Sequence, residues 1–187
     1  MGNCWRTAGD LGLGSGFYSN GMSNERHWKY AGPGAWNDPD YILIGWVGDA
    51  YKMGKGQKTT LTPNEQYSYM SMWSLMAAPL IFSGDMSKLD ALTLNVLCNA
   101  EVIAVDQDPL GRQAKILRHT ADEYVLVKEL EDGSKAVGLF NLSSQPRTIS
   151  ASWNELGSSG KQTVRDLWRQ KDIGSFDKIF EAEVPRH

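Results

Sequence analysis

Thr62-Pro63-Asn64-Glu65-Gln66-Tyr67-Ser68-Tyr69-Met70-Ser71-Met72-Trp73-Ser74-Leu75-Met76-Ala77-Ala78-Pro79-Leu80-Ile81-Phe82-Ser83 reads as a helix that hands the chain directly to a strand. Thr62 takes the N-cap and Pro63 the first helical position. Glu65, three residues after Thr62, completes a capping box. Apolar residues return at Tyr69, Met70, Trp73, Met76 and Ala77, a helical spacing that marks one face for burial. Pro79 cannot continue a helix and stops it. Leu80 to Ser83 is expected as a buried strand, and residues 90–98 as a further helix. Strand and helix in alternation imply parallel α/β structure.

The character of the chain changes near Asp108-Pro109-Leu110-Gly111, where Pro and Gly punctuate the backbone. All seven Met fall before residue 90 and thirteen of the nineteen Gly before residue 85. The net charge is −4 up to Leu110 and +1 from Gly111 onward. Two parts are expected, residues 1–110 and 111–187. The second reads as antiparallel sheet. Residues 124–128 and 135–142 flank a turn carrying the Asp132-Gly133 hairpin signal. Residues 148–153, 163–168 and 178–184 alternate with period two. Short, evenly spaced strands of this kind suggest a β-sandwich.

Composition excludes several functions. The whole chain has 187 residues, 41% hydrophobic and 22% charged, with net charge −3. No apolar run reaches the ~18 residues a membrane span needs. Met1-Gly2-Asn3-Cys4-Trp5-Arg6 lacks the charged-then-apolar layout of a signal peptide. Nineteen basic against twenty-two acidic residues leave no basic stripe for nucleic acid. Cys4 and Cys98 cannot build a disulfide scaffold or a four-ligand zinc site. No cofactor motif is present, and His27, His119 and His187 match neither a metal nor a triad pattern. They read as surface or structural residues. Cys98 lies in the expected helix and reads as core. No base is evident to activate Cys4, and Ser83-Gly84-Asp85 has neither an elbow context nor a partner His.

Two segments carry the candidate chemistry: Gly2-Asn3-Cys4-Trp5-Arg6-Thr7-Ala8-Gly9-Asp10 and Gly32-Pro33-Gly34-Ala35-Trp36-Asn37-Asp38-Pro39-Asp40-Tyr41. Each sets a Trp beside Asp in a Gly-rich context, and the first adds Arg6. Successive parallel strands of a barrel would bring such residues to one rim. Indole faces suit the CH surface of a sugar, and charged groups suit its hydroxyls. A carboxylate pair can protonate a leaving oxygen and attack or assist at the anomeric carbon. The bland alternative is that the Trp residues are wall and the Asp residues bond their own turns. An Asp-x-Asp pair can also hold a cation, but the further acidic ligands of a calcium loop are missing.

Taken together, these segments resemble the second half of a melibiase-type α-galactosidase, the family grouped with α-N-acetylgalactosaminidases. Residues 69–82, 102–111 and 164–168 resemble the family's penultimate helix and last barrel strand, its exit from the barrel, and a strand of its C-terminal sandwich. The resemblance implies a partial (β/α)₈ TIM barrel, its last three β/α units, followed by an antiparallel β-sandwich. It implies hydrolysis of an α-galactoside with retention of configuration. Asp10 falls on the family's general acid/base. Arg6 falls on an arginine that holds substrate hydroxyls, and is expected to spend its charge mainly on other carboxylates or on substrate. Asp40 falls on a carboxylate lining the sugar pocket. Tyr41 takes a pocket position where many relatives have Met. Asp38 is expected to shape its turn, and Trp5 and Trp36 to support the strand ends.

The family's nucleophile lies in a Lys-x-Asp-x-Cys segment that this sequence does not contain. A complete (β/α)₈ barrel takes about 250 residues. The chain is therefore expected to begin at the sixth barrel strand and to stop one strand short of the usual sandwich. Three readings stay open: the acid/base half of an α-galactosidase, a silent fragment or sugar-binding sandwich, or a half-barrel completed by an N-terminal half or a second copy. The loops that separate galactose, N-acetylgalactosamine and arabinopyranose in this family are absent, and localisation is unassigned.

Overall fold

In the computed structural model, which describes residues 2–14, 16–48 and 55–186, β1 (Cys4–Arg6) leads into α1 (Phe17–Glu25) and then β2 (Trp36–Asp38). Met1 and His187, the outer limits of the two expected parts, lie outside the described residues. β1 and β2 pair in parallel, with Cys4 opposite Trp36, Trp5 opposite Asn37 and Arg6 opposite Asp38. In α1 the buried positions Phe17, Gly21 and Asn24 recur at helical spacing. A second parallel contact joins Ile42 to Phe82. There Ile42 N–H donates to Ile81 O (2.8 Å) and Ser83 N–H to Ile42 O (3.0 Å). Between these two contact points run the short antiparallel pair β3 (Trp46–Val47) and β4 (Gln57–Lys58), and then α2 (Pro63–Leu75).

α2 starts as its sequence dictates. Glu65 N–H donates to Thr62 Oγ1 (3.2 Å), and Thr62 N–H donates to Glu65 Oε2 (2.6 Å). It stops earlier than Pro79 requires, because Ala77 adopts a left-handed φ of 49° just past the Met76 cap. Its burial is also wider than one face, since Met72, Ser74 and Leu75 are buried beside Tyr69, Met70, Trp73 and Met76. The cause is packing on two sides: α1 brings Gly21 against it, and the sandwich covers the other flank. A Cβ on Gly21 would sit 2.1 Å from Met72 Sδ, so any larger residue there would force the buried Met72 side chain to move.

The strand expected over Leu80–Ser83 shortens to a single bridge at Phe82, and it is not buried: Ile81 is 45% exposed. Its bridge is to Ile42 alone among the described residues, so Ile81 lies open. α3 (Ala91–Leu97) and α4 (Ala100–Asp106) follow, capped by the side chains of Asp90 and Asn99. Cys98, expected in the core, is exposed instead. It is the C-cap of α3, whose buried face is set by Thr93 and Val96.

Beyond the linker come β5 (Lys115–His119), β6 (Glu123–Glu129), β7 (Lys135–Asn141), β8 (Arg147–Ser152), β9 (Gln162–Asp166), β10 (Lys171–Phe176) and β11 (Ile179–Val184). All pairings are antiparallel: β5–β6–β7, β8 with β11, and β9 with β10. Ala151, Trp153 and Leu156 pack with Val127, Val137, Leu139, Phe176 and Phe180 to fill the space between these sheets.

The period-two alternation of β6 sends Tyr124, Leu126 and Lys128 to the opposite face. There Tyr124 and Leu126 join Ala136, Phe140, Trp73 and Met76 in one continuous core. Lys128 is fully buried. Its ammonium donates to the carbonyls of Ser74 (3.4 Å), Val105 (2.5 Å) and Asp106 (3.3 Å), at the ends of α2 and α4. Helix C-termini carry unsatisfied carbonyls and the negative end of the dipole, so a cation fits there. Burial nevertheless pushes Lys128 down to about 8 and Asp106 up to about 6.

Candidate active site

Arg6 closes β1 and stands opposite Asp38, the last residue of β2. Its guanidinium meets two carboxylates, Asp10 Oδ1 at 3.2 Å from Nη2 and Asp40 Oδ1 at 3.1 Å from Nη1. The contact with Asp40 is an ion pair without a hydrogen bond. Arg6 was expected to spend its charge mainly on other carboxylates or on substrate; in this fold it meets Asp10 as well as Asp40. The β1–β2 pairing places the two loop starts side by side, and the reach of one arginine does the rest.

The two carboxylates differ sharply in setting. Asp10 is 96% exposed and Asp40 3%. Asp40 is held on every side. Its Oδ2 accepts from Leu11 N–H (2.6 Å), and its own N–H donates to Asp38 Oδ1 (2.8 Å). Its carbonyl accepts from Trp73 Nε1–H (2.8 Å). Its φ is 97°, in the left-handed region that L-residues avoid. Asp38 thus bonds within its own turn, the role expected of it from the resemblance. Tyr41 is 46% exposed, while its carbonyl accepts from Tyr69 Oη–H (2.6 Å).

α1 ties the loops together, since Asn20 Nδ2 donates to Gly9 O (2.9 Å) and Pro39 O (3.0 Å). Below them Asn37 donates to Gln113 Oε1 (3.1 Å) and His27 O (2.9 Å), a buried polar floor. Trp5 stands edge-on to His27 at 5.3 Å. Partial burial and the Asp38 carboxylate push the Cys4 thiol up, away from the reactive thiolate. Among the described residues no group of three or more His, Cys, Asp or Glu could hold a metal ion.

Arg6, Asp10 and Asp40 are therefore one cluster, with Tyr41 adjoining it in sequence. Leu11 N–H, Asn20, Tyr69 and Trp73 were not singled out from the sequence as parts of this site. Tyr69 and Trp73 carried a signal, because they are the members of the apolar α2 face that can donate hydrogen bonds.

The chain thus joins two parallel strands ending at paired carboxylates and an arginine to a set of antiparallel sheets. Residues 18–108 match the family described as "Alpha galactosidase A", and residues 120–187 match "Alpha galactosidase C-terminal beta sandwich domain". The α-galactosidase of Cyamopsis tetragonoloba is 38% identical over 190 residues, covering 100% of this chain and 43% of its own length. That of Oryza sativa subsp. japonica is 36% identical over 188 residues, covering 99% of this chain and 42% of its own length. A solved structure of a β-L-arabinopyranosidase from Geobacillus stearothermophilus superposes with a TM-score of 0.90 at 28% identity, over 98% of this chain and 42% of that one. The chain belongs to the melibiase-type α-galactosidase family and matches its C-terminal portion. It spans less than half the length of the curated relatives named here.

Proposed function

We propose that this chain carries the acid/base half of a retaining α-galactosidase site that hydrolyses terminal α-linked galactosides. Residues 1–110 are then the last three β/α units of a (β/α)₈ barrel, and residues 111–187 the sandwich behind them. The observation that carries this reading is Arg6 lying between Asp10 and Asp40, at 3.2 and 3.1 Å, beside two adjacent parallel strands. Asp10 gives its proton to the glycosidic oxygen as the bond to the anomeric carbon breaks, and later takes one from the attacking water. Arg6 and Asp40 hold sugar hydroxyls, and Tyr41 borders the pocket. The attacking carboxylate comes from the part of the relatives' length that this chain does not span.

A general acid must hold its proton until the bond breaks, and cover from water favours the protonated form. Asp10 is 96% exposed, so that cover has to come from elsewhere. Trp5 at 43% and Ile81 at 45% exposure both lie on the parallel α/β side, where an N-terminal half-barrel would cover them. A second copy of the chain is the other partner that could cover them.

The test is Asp10→Asn in a complete enzyme containing this segment. Hydrolysis of an unactivated galactoside should fall on the order of 10²–10⁴-fold, the usual worth of a general acid. An aryl galactoside, whose leaving group departs without a proton, should lose less. Near-normal hydrolysis of the unactivated substrate would remove Asp10 from the role.

A further inference from the structure

We propose that Trp73 and Tyr69 are positioning residues that clamp the Asp40–Tyr41 backbone, an inference that rests on the sugar-binding reading of Asp40. The two aromatics stand four residues apart on α2 and face the same loop. Both are buried, at 0% and 1% exposure. A buried indole N–H or phenol O–H must find an acceptor or pay for its desolvation. Trp73 finds the carbonyl of Asp40 at 2.8 Å, and Tyr69 the carbonyl of Tyr41 at 2.6 Å. Successive peptide planes are thereby fixed from one helix.

The donors are themselves rigid. The Tyr69 ring stacks on Phe17 with centroids 4.5 Å apart and planes at 8°, and meets the Trp73 ring edge-on at 4.5 Å. What they hold is a conformation the chain would leave if released, because φ of Asp40 is 97° in a residue with a Cβ. Relaxation of that φ would swing the carboxylate away from Arg6 and from Leu11 N–H, the amide next to Asp10. The contacts run from α2 to the Asp40 backbone, then to its carboxylate, and then to Arg6 and the Asp10 loop. Trp73 and Tyr69 touch no reacting atom in this scheme, so their effect passes through Asp40.

Amide hydrogen exchange on the ¹⁵N-labelled chain tests the clamp. Trp73→Phe and Tyr69→Phe each remove one donor and keep an aromatic ring. Tyr67→Phe is the control, since its hydroxyl accepts from Asn95 on the same helix bundle rather than from the site loop. One lost hydrogen bond should speed exchange of the Leu11 and Asp40 amides about tenfold, with the β6 and β7 amides unchanged. Tyr67→Phe should leave Leu11 and Asp40 unchanged. Unaltered rates at Leu11 and Asp40 in both variants, or a rise shared evenly by the whole chain, would overturn the proposal. Should Trp73→Phe fail to fold, Tyr69→Phe alone decides. A second arm joins this segment behind the N-terminal portion of the Oryza sativa α-galactosidase. There the variants should raise KM for an aryl α-galactoside and leave the shape of the pH profile intact. A wild-type chimera that folds and shows no turnover counts against the α-galactosidase reading, while the exchange rates still judge the clamp.

Discussion

Lys128 offers a sharp test of how the sandwich is joined to the helices beneath it. Its pKa falls from 10.5 in the open chain to about 8 in the fold, chiefly because burial penalises the charge. Between those values the unfolded chain holds a proton that the folded chain has released, so stability must climb with pH. The full window is worth about 3 kcal/mol at ~1.4 kcal/mol per pKa unit, of which about 2 kcal/mol falls between about pH 8 and 10. Above pH 10 the sign reverses, because burial raises Tyr18 to about 12 and also raises Tyr69 and Tyr124. Those phenols keep protons in the fold that the unfolded chain loses. Urea unfolding of the wild type and of Lys128→Met across this range separates the contributions. The wild type should gain about 2 kcal/mol relative to the variant between about pH 8 and 10. Parallel pH profiles for the two proteins would refute the claim that burial of Lys128 drives its proton off between about pH 8 and 10.

Two further substitutions probe the local structure. Thr62→Ala removes the acceptor for Glu65 N–H and should cost about 1 kcal/mol in the same unfolding assay. Gly111→Ala puts a Cβ 2.9 Å from Pro33 Cδ and from Trp36 Cη2, at a φ of 57°. It should cost more than about 1 kcal/mol, since the linker would have to move off the β2 segment.

The parts of the fold that were legible in the sequence are those where local chemistry and tertiary packing agree. Thr62, Pro63 and Glu65 announce the start of α2, and the Asp132-Gly133 turn announces the pairing of β6 with β7. β5 and β10 were hidden for a physical reason. Each carries a register shift, between Ile116 and Arg118 and between Asp172 and Gly174, which breaks the period-two pattern. Lys128 was invisible because no local pattern shows which carbonyls an ammonium will meet across a domain face. Cys98 misled because an apolar neighbourhood does not reveal which side of a short helix turns outward. At the site, strand-end logic brought the two segments together, and the family resemblance picked Arg6, Asp10 and Asp40 out of them. Their support was not legible, since the Trp73 and Asn20 hydrogen bonds depend on how α2 and α1 lie against the loops.

The most direct measurement of the central claim is turnover of an aryl α-galactoside by the purified chain, alone and mixed with the N-terminal portion of an α-galactosidase relative. The catalytic pair is divided in this account, so the chain alone should show no hydrolysis above its Asp10→Asn variant, and the mixture should turn over. Hydrolysis by the chain alone, lost in Asp10→Asn, would contradict it, because the attacking group would then lie within these 187 residues.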